Sequence, residues 1–316
     1  MDVKQAYYYI KNFVDKNNNK NTDIVASEFE ATIKNLPDED IIYLLLFSGF
    51  IPDLYLADSS DETLYSKLVE VLVCVWAQKL NFESKYVKQK ASYEDVYLEK
   101  NNKVIVCDAK SFRLGRSQKA PNVKDFIKLE DIRKWLNRYG TKKLGGLVTY
   151  PDTHEWTADS DTYQYCSTKE IPTVMLPYKY MALILFFKEK LKYNDILSLW
   201  DYDTIFPNKL KKGERNKEKY WAAINSKILK ILNISKEVLY NHLSNYDKEI
   251  QKFIQCHIKN LEKLKIEKEN SIRKSISKIP FEEIIKQYTE YKISIETKQI
   301  NDTVKRIRDF RLTPTD

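Results

Sequence analysis

The chain has 316 residues, 43% of them hydrophobic, enough to bury a substantial core, so disorder is not the default. A net charge of +8 makes polyanions, nucleic acid first, the natural partner class, although abundant Lys, Asn, Ile and Tyr are equally what an AT-rich coding sequence produces. Six glycines without a Walker or dinucleotide loop argue against an NTPase or a Rossmann dehydrogenase, and four scattered cysteines (Cys74, Cys107, Cys166, Cys256) argue against a zinc cluster or a disulfide framework.

Residues 1–58 read as helices broken by the polar run 16–21, with one helix starting near Pro37 behind the acidic Asp38, Glu39 and Asp40. Ser59-Ser60-Asp61-Glu62 looks like a cap, and Leu64, Leu68, Val71, Leu72, Val75 and Trp76 follow at helical spacing to about Leu80. Two β-branched segments, Val96-Tyr97-Leu98 and Val104-Ile105-Val106-Cys107, flank a polar stretch and predict a hairpin. A helix over 124–139, a strand over 146–150, a strand over 171–176 and a helix over 179–191 complete an α/β order around a mixed sheet. Residues 209–217 form a basic loop. From 220 to about 274 the chain is strongly helical, with an apolar row at Ile250, Phe253, Ile254, Ile258, Leu261 and Leu264, ended or bent at Pro280. That row is expected to pack within the chain or at a dimer interface. The N-terminus lacks a signal-like apolar core and no apolar run approaches about 18 residues, so a soluble cytoplasmic protein without a membrane partner is expected.

Asp108-Ala109-Lys110 ends the second strand of the hairpin, and two-residue spacing in a strand turns both side chains to one face. Asp95 begins the first strand and is almost as far from the turn at Asn101-Asn102 as Asp108, so an antiparallel hairpin brings the two carboxylates together. Hard carboxylate oxygens of this kind suit Mg²⁺ and phosphodiester hydrolysis. The tripeptide alone is weak, since an acid, any residue and Lys also occur from Asp2, Glu83, Glu290 and Glu296, and an ordinary surface salt bridge between Asp108 and Lys110 explains it as well.

The run from Asp108 to Arg116, Asp-Ala-Lys-Ser-Phe-Arg-Leu-Gly-Arg, resembles the catalytic-strand segment of the HindIII-like type II restriction endonucleases, in the PD-(D/E)xK nuclease superfamily. The similarity continues at Lys124-Asp125-Phe126 and upstream through Ser59-Ser60-Asp61-Glu62-Thr63-Leu64-Tyr65-Ser66-Lys67, and more loosely over most of the chain. It implies an α/β core of mixed sheet flanked by helices over 59–206, a helical N-terminal part over 1–58, and a basic loop with helical C-terminal extension over 207–316, packed together as one domain. Asp108 and Lys110 match the D-x-K half of the motif and Asp95 matches its first acid. Glu94 stands where the nominal Pro would be, which leaves Glu94 and Asp95 as alternatives, with strand alternation favouring Asp95.

Asp95 and Asp108 would hold Mg²⁺, with Glu70 on the preceding helix as a further ligand or a solvated surface acid. Asp125 is either a helix N-terminal charge or a residue near the metal. Arg113, Arg116, Lys119 and Lys124 are candidates for contact with double-stranded DNA, against the plainer reading of a solvated basic loop; Trp156, His154 and Tyr163 to Tyr165 are weaker ones. The resemblance further implies a prokaryotic homodimer cutting both strands of a palindromic site by direct attack of metal-bound water, leaving 5′-phosphates, with a separate DNA methyltransferase as companion. A repair nuclease of the same fold and a non-catalytic DNA-binding relative are the alternatives.

Overall fold

Three helices open the chain, α1 (Val3–Asn17), α2 (Thr22–Lys34) and α3 (Asp38–Phe47), and the polar stretch after α1 ends in a cap, where Asn21 accepts hydrogen bonds from the N–H groups of Asp23 and Ile24. The structure, a computed structural model, describes every residue except 2, 88–91, 116–121, 152–155, 193–194 and 312–316; within helices the side chains of 3, 4, 124, 125, 303 and 305–311 are also left undescribed.

A two-residue strand, β1 (Phe50–Ile51), leads to α4 (Ser60–Lys79). The expected cap is present: Ser59 accepts the Glu62 N–H, and Glu62 reaches back to accept the N–H of Asp58. From Leu64 to Ala77 almost every side chain of α4 is buried, because α1 and α2 cover it on one side and strands on another. A helix apolar all round belongs between layers.

The strands follow as β2 (Glu83–Tyr86), β3 (Val96–Lys100) and β4 (Lys103–Ala109), then β5 (Phe112–Arg113), which pairs in parallel with β1 as a separate small sheet. Asn101 and Asn102 both have positive φ, 52° and 58°, the backbone of a type I′ hairpin turn. After α5 (Val123–Phe126) and α6 (Leu129–Asn137) come β6 (Lys143–Tyr150), α7 (Asp161–Tyr165) and β7 (Thr173–Pro177). The main sheet runs β2-β3-β4-β6-β7, antiparallel through β4 and parallel from β4 onward, so the expected mixed α/β sheet flanked by helices is observed. A Cβ on Gly145 would lie 2.2 Å from the Pro172 carbonyl and 2.3 Å from the Trp200 ring, so β6 needs glycine where β7 and the following segment close over it.

Three details differ from the sequence reading. The helix expected over 124–139 is two, because Lys128 leaves helical geometry at φ −84°, ψ 70°. The helix expected over 179–191 is α8 (Tyr178–Phe186), followed by a 3₁₀ turn at Lys188–Lys190. β2 was not anticipated, since its sequence Glu-Ser-Lys-Tyr has no apolar alternation.

Beyond α9 (Tyr202–Ile205) the chain is helical as expected, in α10 (Asn216–Leu232), α11 (Lys236–Ile276) and α12 (Phe281–Arg311), with Pro280 between the last two. The chain divides into two compact units, residues 1–253 and 254–316. In the first, Ile250 and Phe253 of α11 are buried; in the second, Ile258 and Leu264 of the same apolar row are exposed, as are Phe281, Ile285, Tyr288 and Tyr291 of α12. The row therefore packs within the chain at its first two positions, whereas Ile258 and Leu264 remain on the surface. Among the described residues no helix is long and apolar enough to cross a membrane.

Candidate active site

The carboxyl ends of the parallel strands β4, β6 and β7 meet the start of α8, and there the backbone leaving β4 is held on both sides: the Lys110 N–H donates to the Thr149 carbonyl at 2.8 Å, and the Tyr178 hydroxyl donates to the Lys110 carbonyl at 2.9 Å. The strand pleat turns Asp108 and Lys110 to the same side, with the ammonium 2.6 Å from Asp108 Oδ2. Asp108 is only 5% exposed, so this is not the surface salt bridge that local spacing allowed.

Asp95 stands one residue before β3. The hairpin register Val96↔Cys107 carries it opposite Asp108; its N–H donates to the Cys107 carbonyl at 3.0 Å, and its Oδ2 accepts the Ala109 N–H at 2.9 Å. Burial pushes its carboxyl well above the usual carboxylate range, and the negative charges of Glu70 and Asp108 push it further, against the opposing pull of the Ala109 N–H and the Lys110 ammonium. Glu94 turns elsewhere, accepting a hydrogen bond from the Tyr139 hydroxyl with Arg138 at 3.6 Å. Neighbouring residues on extended backbone diverge in this way, and it is Asp95 that shares space with Asp108.

Glu70 comes from the buried middle of α4 and is 4% exposed. Its partner was not anticipated: Lys67, 1% exposed, places Nζ 2.7 Å from Glu70 Oε2. The signal that finds Lys67 is its setting, a lysine three residues before a glutamate inside a helix with apolar residues all round. The thiol of Cys107 and the hydroxyl of Tyr178, both buried, are raised by burial and by the same three carboxylates, Glu70, Asp95 and Asp108, so all three lie in one electrostatic neighbourhood.

The candidate DNA contacts fare differently. Arg113 turns inward, its guanidinium donating to the carbonyls of Pro52 (3.4 Å), Asp53 (3.1 Å) and Tyr55 (2.6 Å) and pairing with Glu62 at 2.9 Å. It clasps the turn after β1 to the end of β5, and the Gly115 N–H adds a hydrogen bond to Asp53 Oδ1. Arg116, Lys119 and His154 lie outside the described residues; Lys124 and Asp125 sit on α5 with their side chains undescribed. Trp156 and Tyr163 are buried in an aromatic cluster with Phe126, Tyr150 and Tyr220, which makes them core.

Among the described residues no three His, Cys, Asp or Glu side chains already form a ready-made metal-binding group. The donors nevertheless fit a small hard cation. Asp108 is a buried carboxylate whose only charged neighbour of opposite sign among its described contacts is the Lys110 ammonium, and Asp95 faces it from the adjoining strand, so two hard carboxylates converge on one point. Mg²⁺ is commonly held by one or two carboxylates, with waters and substrate phosphate filling its remaining positions.

Over 184 residues the chain is 27% identical to the type II restriction enzyme HindIII of Haemophilus influenzae; the match covers 58% of this chain and 58% of that protein. The family model of the HindIII restriction endonuclease matches residues 9–298, from α1 well into α12, and so takes in Glu70, Asp95, Asp108 and Lys110. A restriction-endonuclease-like sheet, and a family match over nearly its whole length, place the chain in the HindIII restriction endonuclease family.

Proposed function

We propose that the chain is a Mg²⁺-dependent type II site-specific deoxyribonuclease that cuts both strands of a short palindromic duplex site. The observation that carries this reading is the buried Asp108–Lys110 pair with Asp95 in register beside it, in a chain of the HindIII family. Asp95 and Asp108 would hold the cation, with Glu70 behind them. When bound, it would neutralise charge developing on the phosphate and lower the pKa of a coordinated water.

Asp95 Oδ2 is aimed by the Ala109 N–H, so the hairpin itself orients this ligand. The Lys110 ammonium, fixed by a backbone tied to β6 and Tyr178, stands beside the phosphate, where it orients the attacking water and stabilises the pentacoordinate phosphorane. Water attacks phosphorus directly as the bond to the 3′-oxygen breaks. The products are a 3′-hydroxyl and a 5′-phosphate, with no covalent enzyme intermediate.

One such site cuts one strand, so a twofold homodimer meeting a palindrome supplies the second. A methyltransferase of the same specificity is the expected companion, and a prokaryotic cytoplasm the expected setting. Arg116, Lys119 and Lys124 remain the proposed contacts to DNA, with Arg113 acting through the turn it clasps. The test is digestion of unmethylated duplex DNA with Mg²⁺ followed by sequencing of the ends. Discrete fragments with one shared palindrome and 5′-phosphates are expected; a smear of unrelated ends would overturn site specificity.

A further inference from the structure

Lys67 sits in the part of α4 that is apolar on every side, and burying an ammonium there costs free energy unless its donors are met. They are met from three directions. Glu70 Oε2 lies 2.7 Å away, the Val87 carbonyl accepts a second hydrogen bond, and the ring of Tyr86 lies 5.4 Å from Nζ. An apolar side chain of similar length would fill the same space without the desolvation cost, so packing alone gives no reason for lysine.

What the ammonium does is join two elements. On one side it holds Glu70 of its own helix; on the other it holds Val87, just after β2, whose N–H donates to the Asp95 carbonyl at 3.0 Å. A single chain of contacts thus runs from the Glu70 carboxylate through Lys67 and Val87 to the backbone of Asp95. We propose that Lys67 is a positioning residue, fixing Glu70 and the strand end that carries Asp95 relative to each other, just as Lys110 pairs with Asp108. This rests on the reading of Glu70, Asp95 and Asp108 as the cation-binding carboxylates.

Position and charge act in opposite directions here, which makes the proposal testable. Deleting the positive charge beside Glu70 would by itself tighten cation binding, whereas releasing Glu70 and Asp95 from their common tether weakens it. The comparison needs Lys67→Met, Glu70→Gln, the double variant, and Asp108→Asn, with thermal melts to verify folding. Two readouts are taken: Mn²⁺ binding to the DNA-free protein by calorimetry, and the Mg²⁺ concentration giving half-maximal cleavage.

Lys67→Met is expected to weaken Mn²⁺ binding and raise the Mg²⁺ requirement by at least about tenfold, with cleavage partly restored at high Mg²⁺. In the Glu70→Gln background the same substitution should add little. Unchanged or tighter binding in Lys67→Met, or an equal loss in both backgrounds, would overturn the proposal. If Lys67→Met does not fold because Glu70 is left as a lone buried charge, the double variant against Glu70→Gln decides: equality supports the tether and a further loss refutes it. Asp108→Asn separates the two levels, for if it keeps Mg²⁺-dependent cleavage the carboxylate-site reading itself fails, and if it alone is inactive only the role of Lys67 falls.

Discussion

At the scale of single residues, the site sets two requirements against each other. Asp95 lies beside Glu70 and Asp108 with its carboxyl held above the usual range, so folding raises the proton affinity of that group relative to the unfolded chain. Its contribution to stability is therefore complete below the ordinary carboxylate range and is lost as pH rises through the raised value. Asp95→Asn, which keeps an oxygen for the Ala109 N–H, is expected to raise the melting temperature of the metal-free protein at neutral pH while cleavage disappears. A lower melting temperature in calorimetry would contradict this account of the charge cluster. Lys110 follows a simpler logic: removing a preorganised charge from beside the phosphate costs about 2.7–4 kcal/mol of transition-state stabilisation. Lys110→Ala should accordingly cut at a rate two to three orders of magnitude lower in single-turnover assays.

At the scale of elements, the hairpin decides whether the site exists. Asp95 and Asp108 meet only because two residues in left-handed backbone close the turn and fix the register. Asn102→Ala places an alanine at φ 58° and should cost about 1 kcal/mol in urea denaturation. Cleavage should persist wherever the protein remains folded. Gly145→Ala, which drives a methyl group into the Pro172 carbonyl and the Trp200 ring, should cost about 1–3 kcal/mol. The hairpin, the cap at Ser59 and the same-face pairing of Asp108 with Lys110 were legible in the sequence because each depends on neighbours within a few residues. The β2 strand was not, since its pattern is polar and its place at the sheet edge is set by pairing with β3. Lys67 and the inward contacts of Arg113 were not legible for a related reason: a basic residue reads as solvent-facing until the element that covers it is known.

At the scale of the whole molecule, the net charge of +8 and the family match both point to DNA, while the reading of a double-strand cut requires two copies of the site. Sedimentation of the protein with a duplex carrying its cleavage site, Mg²⁺ being withheld, is expected to show two chains per duplex; one chain per duplex would count against the homodimer. The central claim concerns the carboxylate–lysine cluster at the end of β4, and its most direct test is cleavage of unmethylated duplex DNA by the wild-type protein and by Asp108→Asn, each with Mg²⁺ and with EDTA. Discrete fragments from the wild type with Mg²⁺ alone, and intact DNA in every other lane, are the predicted result. Cleavage by Asp108→Asn at the wild-type rate, or by the wild type in EDTA, would contradict it.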